Sequence, residues 1–188
     1  KTKKKILIVG GTGFIGYHLA KKCLKKSWQV TSISSKNPKK IRFLKKVKYI
    51  RSDITNKKLL KKNTNNIYDY VVNLGGYVDH SNKNKTFKSH YIGCKNLAQI
   101  FLKKKISSFI QIGSSVEYGF SKSPISEDEN ISLDKLKSTY GISKLKASNY
   151  LAKISKEKNL KYIILRPFLI YGPGQSVNRL IPNTIINC

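Results

Sequence analysis

Tyr140 and Lys144 are the residues whose types and spacing point most directly to chemistry. Residues four positions apart share one face of a helix, so the phenol and the ammonium point the same way. A free phenol has a pKa of about 10, and a neighbouring ammonium lowers it, which lets Tyr140 exchange a proton with an alcohol or sugar oxygen near neutral pH. The alternative is a surface Tyr and Lys on a lysine-rich helix.

Ser114 supplies a hydroxyl that could serve the same oxygen. It stands directly after an apolar run, in the segment Gly-Ser-Ser-Val-Glu-Tyr-Gly that ends at Gly119. Its hydroxyl could hydrogen-bond the reacting oxygen while a hydride is transferred, and Lys144 could also hold a nicotinamide ribose. These groups make one site only if a dinucleotide lies beside them.

A glycine-rich loop near the start of the chain predicts that dinucleotide. An apolar run, Lys5–Val9, ends in Gly10, Gly13 and Gly16, and a helical pattern follows at once. Such a loop presents backbone N–H groups and a helix N-terminus to a pyrophosphate. The loop residues predicted to bind it are Gly10, Thr12, Gly13, Phe14, Ile15 and Gly16.

Three later segments are predicted to surround the rest of the dinucleotide. Ser34, Ser35 and Lys36 stand at the end of the second strand-like run, where NAD enzymes usually place an acid. Ser34 does not repel a 2′-phosphate, and Ser35 and Lys36 could bind one. This favours NADP(H) over NAD(H) as the cofactor. Asp53, followed by Ile54, could accept from the adenine amino group or cap a helix that starts near position 56. Leu74, Gly75 and Gly76 let the chain pass close to a ligand.

The elements that must position these residues alternate along the chain. Strand-like runs lie at 5–9, 29–34, 47–50, 68–74, 107–112 and 161–166, and helical patterns at 14–26, 86–104 and 136–158. Continuous apolar strands separated by helices predict an α/β fold, a Rossmann-type doubly wound parallel sheet with helices on both faces. The polar segment 119–135 is expected to be a surface loop over the site.

Composition bounds the class of protein. The net charge of +29 comes from 38 Lys and Arg against 9 acidic residues, but the lysines are spread along the chain, so biased composition explains them better than nucleic-acid binding does. Three cysteines and three histidines show no metal-ligand spacing, and no apolar run is long enough to span a bilayer. We expect reduced thiols, no metal, no membrane contact, no specific nucleic acid and a cytoplasmic location.

Taken in order, these segments resemble the extended short-chain dehydrogenase/reductases, and more narrowly the NAD(P)-dependent epimerase/dehydratase family that modifies nucleotide-sugars. The motifs that carry the resemblance are the glycine loop, Asp53-Ile54, Leu74–Gly76, Ser114–Gly119, Tyr140–Lys144 and Leu165–Gly174. The resemblance implies a nucleotide-sugar substrate, catalytic Ser114, Tyr140 and Lys144, contacts of Tyr140 and Lys144 with the cofactor, Phe168 near the nicotinamide, and a homodimer in the full-length protein.

The chain also departs from the family pattern. The 4,6-dehydratases of the family carry carboxylates right after the catalytic hydroxyl residue, whereas Ser115 and Val116 stand here and Glu117 comes one place later; this favours a 4-keto reductase or a 4-epimerase. His90 stands where the family often has Asn. We expect a Rossmann domain over 1–174, with 175–188 as the start of a truncated substrate-binding region. The alternative function is a non-catalytic dinucleotide-binding or sensing protein on the same fold.

Overall fold

A single parallel sheet organises the chain, which is described here from a computed structural model covering residues 3–129 and 131–188. Its strands are β1 (Lys5–Val9), β2 (Gln29–Ser34), β3 (Val47–Arg51), β4 (Tyr70–Asn73), β5 (Ser108–Ile112) and β6 (Tyr162–Leu165). All neighbouring pairs are parallel, in the order β3-β2-β1-β4-β5-β6. The predicted fold class is confirmed, and the strand order reverses between β1 and β4, which opens a crevice at their carboxyl ends.

The helices connect the strands on both faces. They are α1 (Phe14–Lys25), α2 (Lys57–Asn63), α3 (Lys83–Phe87), α4 (Gly93–Phe101), α5 (Thr139–Lys158) and α6 (Leu180–Asn187), with a π-helical turn, Lys88–Ile92, joining α3 to α4. Short 3₁₀ turns lie at Lys40–Arg42, Ser115–Tyr118 and Leu133–Lys135.

Two helices begin at residues other than those predicted from apolar periodicity, and side-chain caps explain both differences. The helix predicted from position 86 begins at Lys83, because the Asn82 side chain accepts from the Lys85 N–H at 2.9 Å. The helix predicted from position 136 begins at Thr139, because the Ser138 hydroxyl accepts from the Gly141 N–H at 3.0 Å. Apolar periodicity runs past both starts, and only the caps define them.

Two buried clusters lie on opposite faces of the sheet. One packs β1, β4 and β5 residues such as Leu7, Val71 and Phe109 against α2, α4 and α5, and the other packs Ile6, Ile8 and Val30 against α1. The first cluster is the larger, and it packs α5, which carries Tyr140 and Lys144, against β5, which Ser114 follows. No helix in the described part of the chain is long and apolar enough to cross a membrane.

Candidate active site

The glycine loop turns sharply between β1 and α1. Gly10 has φ +81°, a conformation that other residues rarely adopt, and a Cβ there would lie 3.0 Å from the Leu74 carbonyl carbon. A Cβ on Gly16 would overlap the Gly10 carbonyl oxygen, so α1 packs directly on the loop. Backbone therefore approaches backbone where the predicted pyrophosphate site begins.

The first turn of α1 is open to an anion. Gly13 is its N-cap residue, and no side chain caps the helix. The N–H groups of such a turn, together with the helix dipole, bind phosphate groups well. The cradle of close-packed glycines and the side-chain-free helix start fit a dinucleotide pyrophosphate.

A cavity of about 500 Å³ continues from this loop along the carboxyl ends of β1 to β4. It brings together most of the predicted cofactor-binding residues. Those that line it are Gly10, Thr12, Gly13, Ser34, Ser35, Lys36, Asp53, Ile54, Leu74, Gly75 and Gly76. Phe14, Ile15, Gly16, Ser114, Tyr140, Lys144 and Phe168 do not line it.

Some residues after β2 and β3 line the cavity, and others hold the backbone in place. The Ser34 hydroxyl accepts from the Thr12 N–H at 3.4 Å, while Lys36 is exposed at the cavity wall. Asp53 does not cap the following helix: Asn56 does, by accepting from the Leu59 N–H at 3.0 Å. Asp53 instead accepts from the Thr55 N–H at 2.8 Å and lines the cavity, so the capping alternative is wrong.

Ser114, Tyr140 and Lys144 meet next to this cavity, at the end of β5. The Ser114 hydroxyl lowers the pKa of the Tyr140 phenol, and the Lys144 Nζ lies 5.7 Å from the centre of the Tyr140 ring. Gly76 packs against the ring of His90, which lies edge-on to Tyr140 with ring centroids 5.0 Å apart. One side chain therefore separates the cavity wall from the phenol.

Lys144 is buried, with only 4% of its surface exposed. Its ammonium donates to the Ile112 carbonyl at 2.7 Å. Burial lowers its pKa to about 8, because loss of water penalises the charged form more than the Glu117 and Cys94 charges restore it. An amine with this pKa changes its charge close to physiological pH.

The pKa of Tyr140 is raised, not lowered. Burial is the largest cause, and it outweighs the effects of the Ser114 hydroxyl and the positive charge of Arg179, both of which lower the pKa. The prediction that the neighbouring ammonium makes the phenol more acidic is therefore wrong for this structure. At neutral pH Tyr140 carries its proton and can act as a donor.

Two histidines surround Tyr140, and the sequence alone did not associate them with it. The ring of His80 stacks on the phenol with centroids 4.1 Å and planes 17° apart, and His90 lies edge-on. Burial and the Lys144 charge lower the pKa of His90 to about 3, and burial and the Arg179 charge lower that of His80. His80 lies in the loop after β4, and no sequence periodicity links it to position 140.

Glu117 has a structural position. It is fully buried, accepts from the Ser114 N–H at 2.8 Å and the Ser148 hydroxyl at 2.7 Å, and pairs with Arg166 at 3.1 Å. A carboxylate held by these three donors fixes the turn that carries Ser114. Its spacing from Ser114 is thus explained by the capping of that turn.

The segment after β6 crosses this edge of the sheet. The Pro167 carbonyl accepts from the Ser115 N–H at 3.1 Å, and further along the Pro173 carbonyl lies 2.9 Å from a ring nitrogen of His18 on α1. Phe168 lies in this segment with 71% of its surface exposed. The segment thus runs from the carboxyl end of β5 to α1, the helix that follows the glycine loop.

A larger cavity, of about 780 Å³, lies at the amino ends of the strands. Lys5, Trp28, Lys46 and Lys48 are among its walls. Ligands of open parallel sheets bind at the carboxyl ends, so the smaller cavity is the candidate site. In residues 3–129 and 131–188, no group of three or more His, Cys, Asp or Glu side chains is arranged to hold a metal ion.

The strand order, the glycine turn and the open helix start together define a dinucleotide-binding protein of the Rossmann type. Residues 6–188 match the NAD dependent epimerase/dehydratase family. The chain belongs to that family, and the predicted resemblance is confirmed.

Relatives of different activity are similarly close. The chain is 30% identical to a dTDP-D-glucose 4,6-dehydratase of Dictyostelium discoideum (97% of this chain, 47% of the relative) and 30% identical to a dTDP-4-dehydro-6-deoxyglucose reductase of Escherichia coli (94% and 58%). It is 27% identical to the structure of a UDP-glucuronic acid 4-epimerase from Bacillus cereus in complex with NAD, with a TM-score of 0.79 over 96% of this chain and 61% of that one. The chain spans about half the length of the curated relatives it matches.

Proposed function

We propose that this chain is the cofactor-binding and catalytic part of an NAD(P)-dependent nucleotide-sugar oxidoreductase of the 4-keto reductase or 4-epimerase type. The observation that carries the proposal is the convergence of Ser114, Tyr140 and Lys144 beside a cavity built on the glycine loop. The cofactor, when bound, supplies the hydride, and the protein supplies position and proton transfer.

Each of the three residues has a distinct task in this proposal. Tyr140 exchanges a proton with the sugar oxygen that gains or loses hydrogen, and its raised pKa makes it a proton donor at neutral pH. The Ser114 hydroxyl holds the same oxygen. Lys144 supplies a positive charge behind the phenol and a contact to the cofactor ribose. A protonated phenol suits reduction of a keto group, which favours the 4-keto reductase.

The cofactor is proposed to be NADP(H) in preference to NAD(H). No carboxylate stands at the end of β2 to repel a 2′-phosphate, and the exposed Lys36 is on the cavity wall next to Ser34. A lysine at the wall of the cavity forms charge-assisted hydrogen bonds with a phosphate. Gly10 to Gly16 would hold the pyrophosphate, and Asp53 the adenine amino group.

The substrate side is proposed to begin after the cofactor half. Arg179, the N-cap residue of α6, acts electrostatically on both Tyr140 and His80, so its charge lies near the proposed catalytic residues. A guanidinium there suits the phosphates of a nucleotide-sugar. We propose that residues 1–174 hold the cofactor, that Phe168 lies near the nicotinamide, and that the full-length protein is a cytoplasmic homodimer.

A second candidate is a non-catalytic dinucleotide-binding or sensing protein. The observation that favours it is the ring of His80, which covers one face of Tyr140. A sensor needs the cavity but not the proton carried by the phenol. The two candidates differ in what removal of the Tyr140 hydroxyl does.

Tyr140→Phe tests the catalytic proposal in the intact protein. We expect turnover of the nucleotide-sugar to be abolished while cofactor affinity changes little, because the hydroxyl moves a proton and the ring remains. Tyr150→Phe, on the same helix, is the matched control and should keep full turnover. Unchanged turnover in Tyr140→Phe would overturn the mechanism, and cofactor binding without any turnover in the unsubstituted protein would support the sensor.

Ser34→Asp tests cofactor choice in separate titrations with NADPH and NADH. We expect the unsubstituted chain to bind NADPH more tightly and Ser34→Asp to reverse the order, since a carboxylate there accepts from ribose hydroxyls and repels a phosphate. Lys36→Ala should weaken NADPH binding by about tenfold and leave NADH binding unchanged, and Lys153→Ala on α5 is its control. A clear preference of the unsubstituted chain for NADH would overturn the assignment.

A further inference from the structure

Two buried amide side chains lie between the strands that end at the candidate site. Asn73 ends β4 and Gln111 lies on β5, and each has only 1% of its surface exposed. The two residues are direct partners in the sheet register, and the Asn73 Nδ2 donates to the Gln111 Oε1 at 2.8 Å. Buried amides are costly unless they are fully hydrogen-bonded, so this pair has to be explained.

On one side, hydrogen bonds connect the Asn73–Gln111 pair to Lys144. The Gln111 Nε2 donates to the Ile112 carbonyl at 2.9 Å, and the Lys144 ammonium donates to the same oxygen at 2.7 Å. One carbonyl oxygen with two lone pairs therefore binds both the amide and the catalytic ammonium. The strength of one bond depends on the presence of the other.

The pair continues to the cofactor cavity on the other side. The Gly75 N–H donates to the Asn73 Oδ1 at 3.1 Å, and Gly75 is part of the cavity wall. Every bond from Gly75 through Asn73 and Gln111 to Ile112 runs in one direction, each amide accepting with oxygen and donating with nitrogen. Turning either amide over would place two donors or two acceptors together, so the chain of bonds has a single arrangement.

We propose that Asn73 and Gln111 are positioning residues, a buried amide relay that ties the cavity loop at Gly75 to the Ile112 carbonyl on which Lys144 is held. The inference rests on the proposed function, in which Lys144 contacts the cofactor. Through the relay, the position of the loop beside the adenosine half of the cofactor is linked to the position of the ammonium beside its nicotinamide half.

The relay can be tested through the charge of Lys144, which is expected to make cofactor affinity depend on pH. The titratable groups that face it from the packed elements are Glu117 on the turn after β5, His80 in the loop after β4, His90 in the π-helical turn, Cys94 on α4 and Tyr140 on its own helix. Its pKa of about 8 predicts that cofactor affinity falls as pH rises through that value, because the neutral amine binds ribose oxygens less well. Lys144→Arg stays charged throughout this range and should lack the step.

Gln111→Met and Asn73→Leu each remove one amide of the relay and replace it with an apolar side chain of similar size. NADPH and NADH binding to the whole chain would be followed by reduced-nicotinamide fluorescence between about pH 6.5 and pH 10. Gln111→Met removes one of the two donors to the Ile112 carbonyl and leaves the Lys144 ammonium as the other. The ammonium is then held more strongly, so the pH at which cofactor affinity falls should rise by about half a unit or more. Asn73→Leu frees the Gly75 loop and should weaken binding near neutral pH about threefold to tenfold.

Ile110→Val is the matched control, because it perturbs the same strand on the other face of the sheet. It should lower the unfolding midpoint and leave the pH step where it was. An unmoved step in Gln111→Met, with the step still lost in Lys144→Arg, would overturn the relay alone. If Lys144→Arg and the unsubstituted chain showed the same pH dependence, Lys144 would not contact the cofactor, and the proposed function would fail at that point.

Discussion

The imidazole of His80 stacks on the phenol of Tyr140, with ring centroids 4.1 Å apart. The two residues are brought together by the loop after β4 and the first turn of α5. His80 itself is exposed, so the stacked ring shields the tyrosine without being part of the core. His80, the neighbouring His90 and the buried Lys144 surround the phenol, whose pKa is raised mainly by burial.

Removing the His80 ring should make Tyr140 more acidic. Burial is the main cause of its raised pKa, and His80→Ala admits water to one face of the ring. We expect tetranitromethane, which attacks the phenolate, to nitrate Tyr140 several-fold faster in His80→Ala, as measured by mass spectrometry of the tryptic peptide. His18→Ala, which removes an exposed ring on α1, should leave the rate unchanged. Equal rates in His80→Ala and the unsubstituted chain would contradict the shielding.

His90 should make folding stability depend on acidity. The unfolded chain protonates this histidine around pH 6.5, whereas the folded chain resists until about pH 3, so stability is complete above pH 6.5 and is lost as pH falls towards 3. Between about pH 7 and pH 4 this loss amounts to about 3 kcal/mol. His90→Asn should show a correspondingly shallower decline in urea unfolding. Identical pH dependence in His90→Asn and the unsubstituted chain would refute the assignment.

Glu117→Gln should destabilise the fold strongly. The carboxylate is fully buried and pairs with Arg166, so its neutral replacement leaves the guanidinium without a counter-charge and costs about 3 kcal/mol. Glu157→Gln is the control: its bond to Lys153 is 3.8 Å long and the side chains are 49% and 72% exposed, so the change should stay within about 0.5 kcal/mol. Chemical denaturation of both variants measures the difference, and similar losses would argue against a structural role for Glu117.

Ser27→Gly should stabilise the protein. Ser27 ends α1 with φ +60°, held there because its N–H and that of Trp28 donate back to Leu24 and Cys23. Glycine adopts this conformation without strain, so the gain should be about 0.5–1 kcal/mol. Asn159, the C-cap residue of α5, has a similar φ of 55°, and asparagine tolerates it better, so Asn159→Gly should gain less. The order of the two urea midpoints tests the argument.

Local patterns in the sequence were enough to predict the sheet and the order of the motifs along it. The continuous apolar run of β1 and the β-branched run of β2 predicted both strands with their observed ends, because strands buried on both faces are recognisable locally. The spacing of Tyr140 and Lys144 put them on one helix face for the same local reason. Helix starts were less predictable, since Asn82 and Ser138 act as caps only through their side-chain bonds.

The protonation of the site depends on contacts that form when the chain folds. The raised pKa of Tyr140 and the lowered pKa of Lys144 both follow from burial, which depends on elements distant in sequence packing over them. The position of His80 on the phenol and the meeting of Gln111 and Lys144 on one carbonyl depend equally on that packing. Spacing in a sequence fixes which residues share an element, whereas water exclusion and contacts between elements arise only when the chain folds.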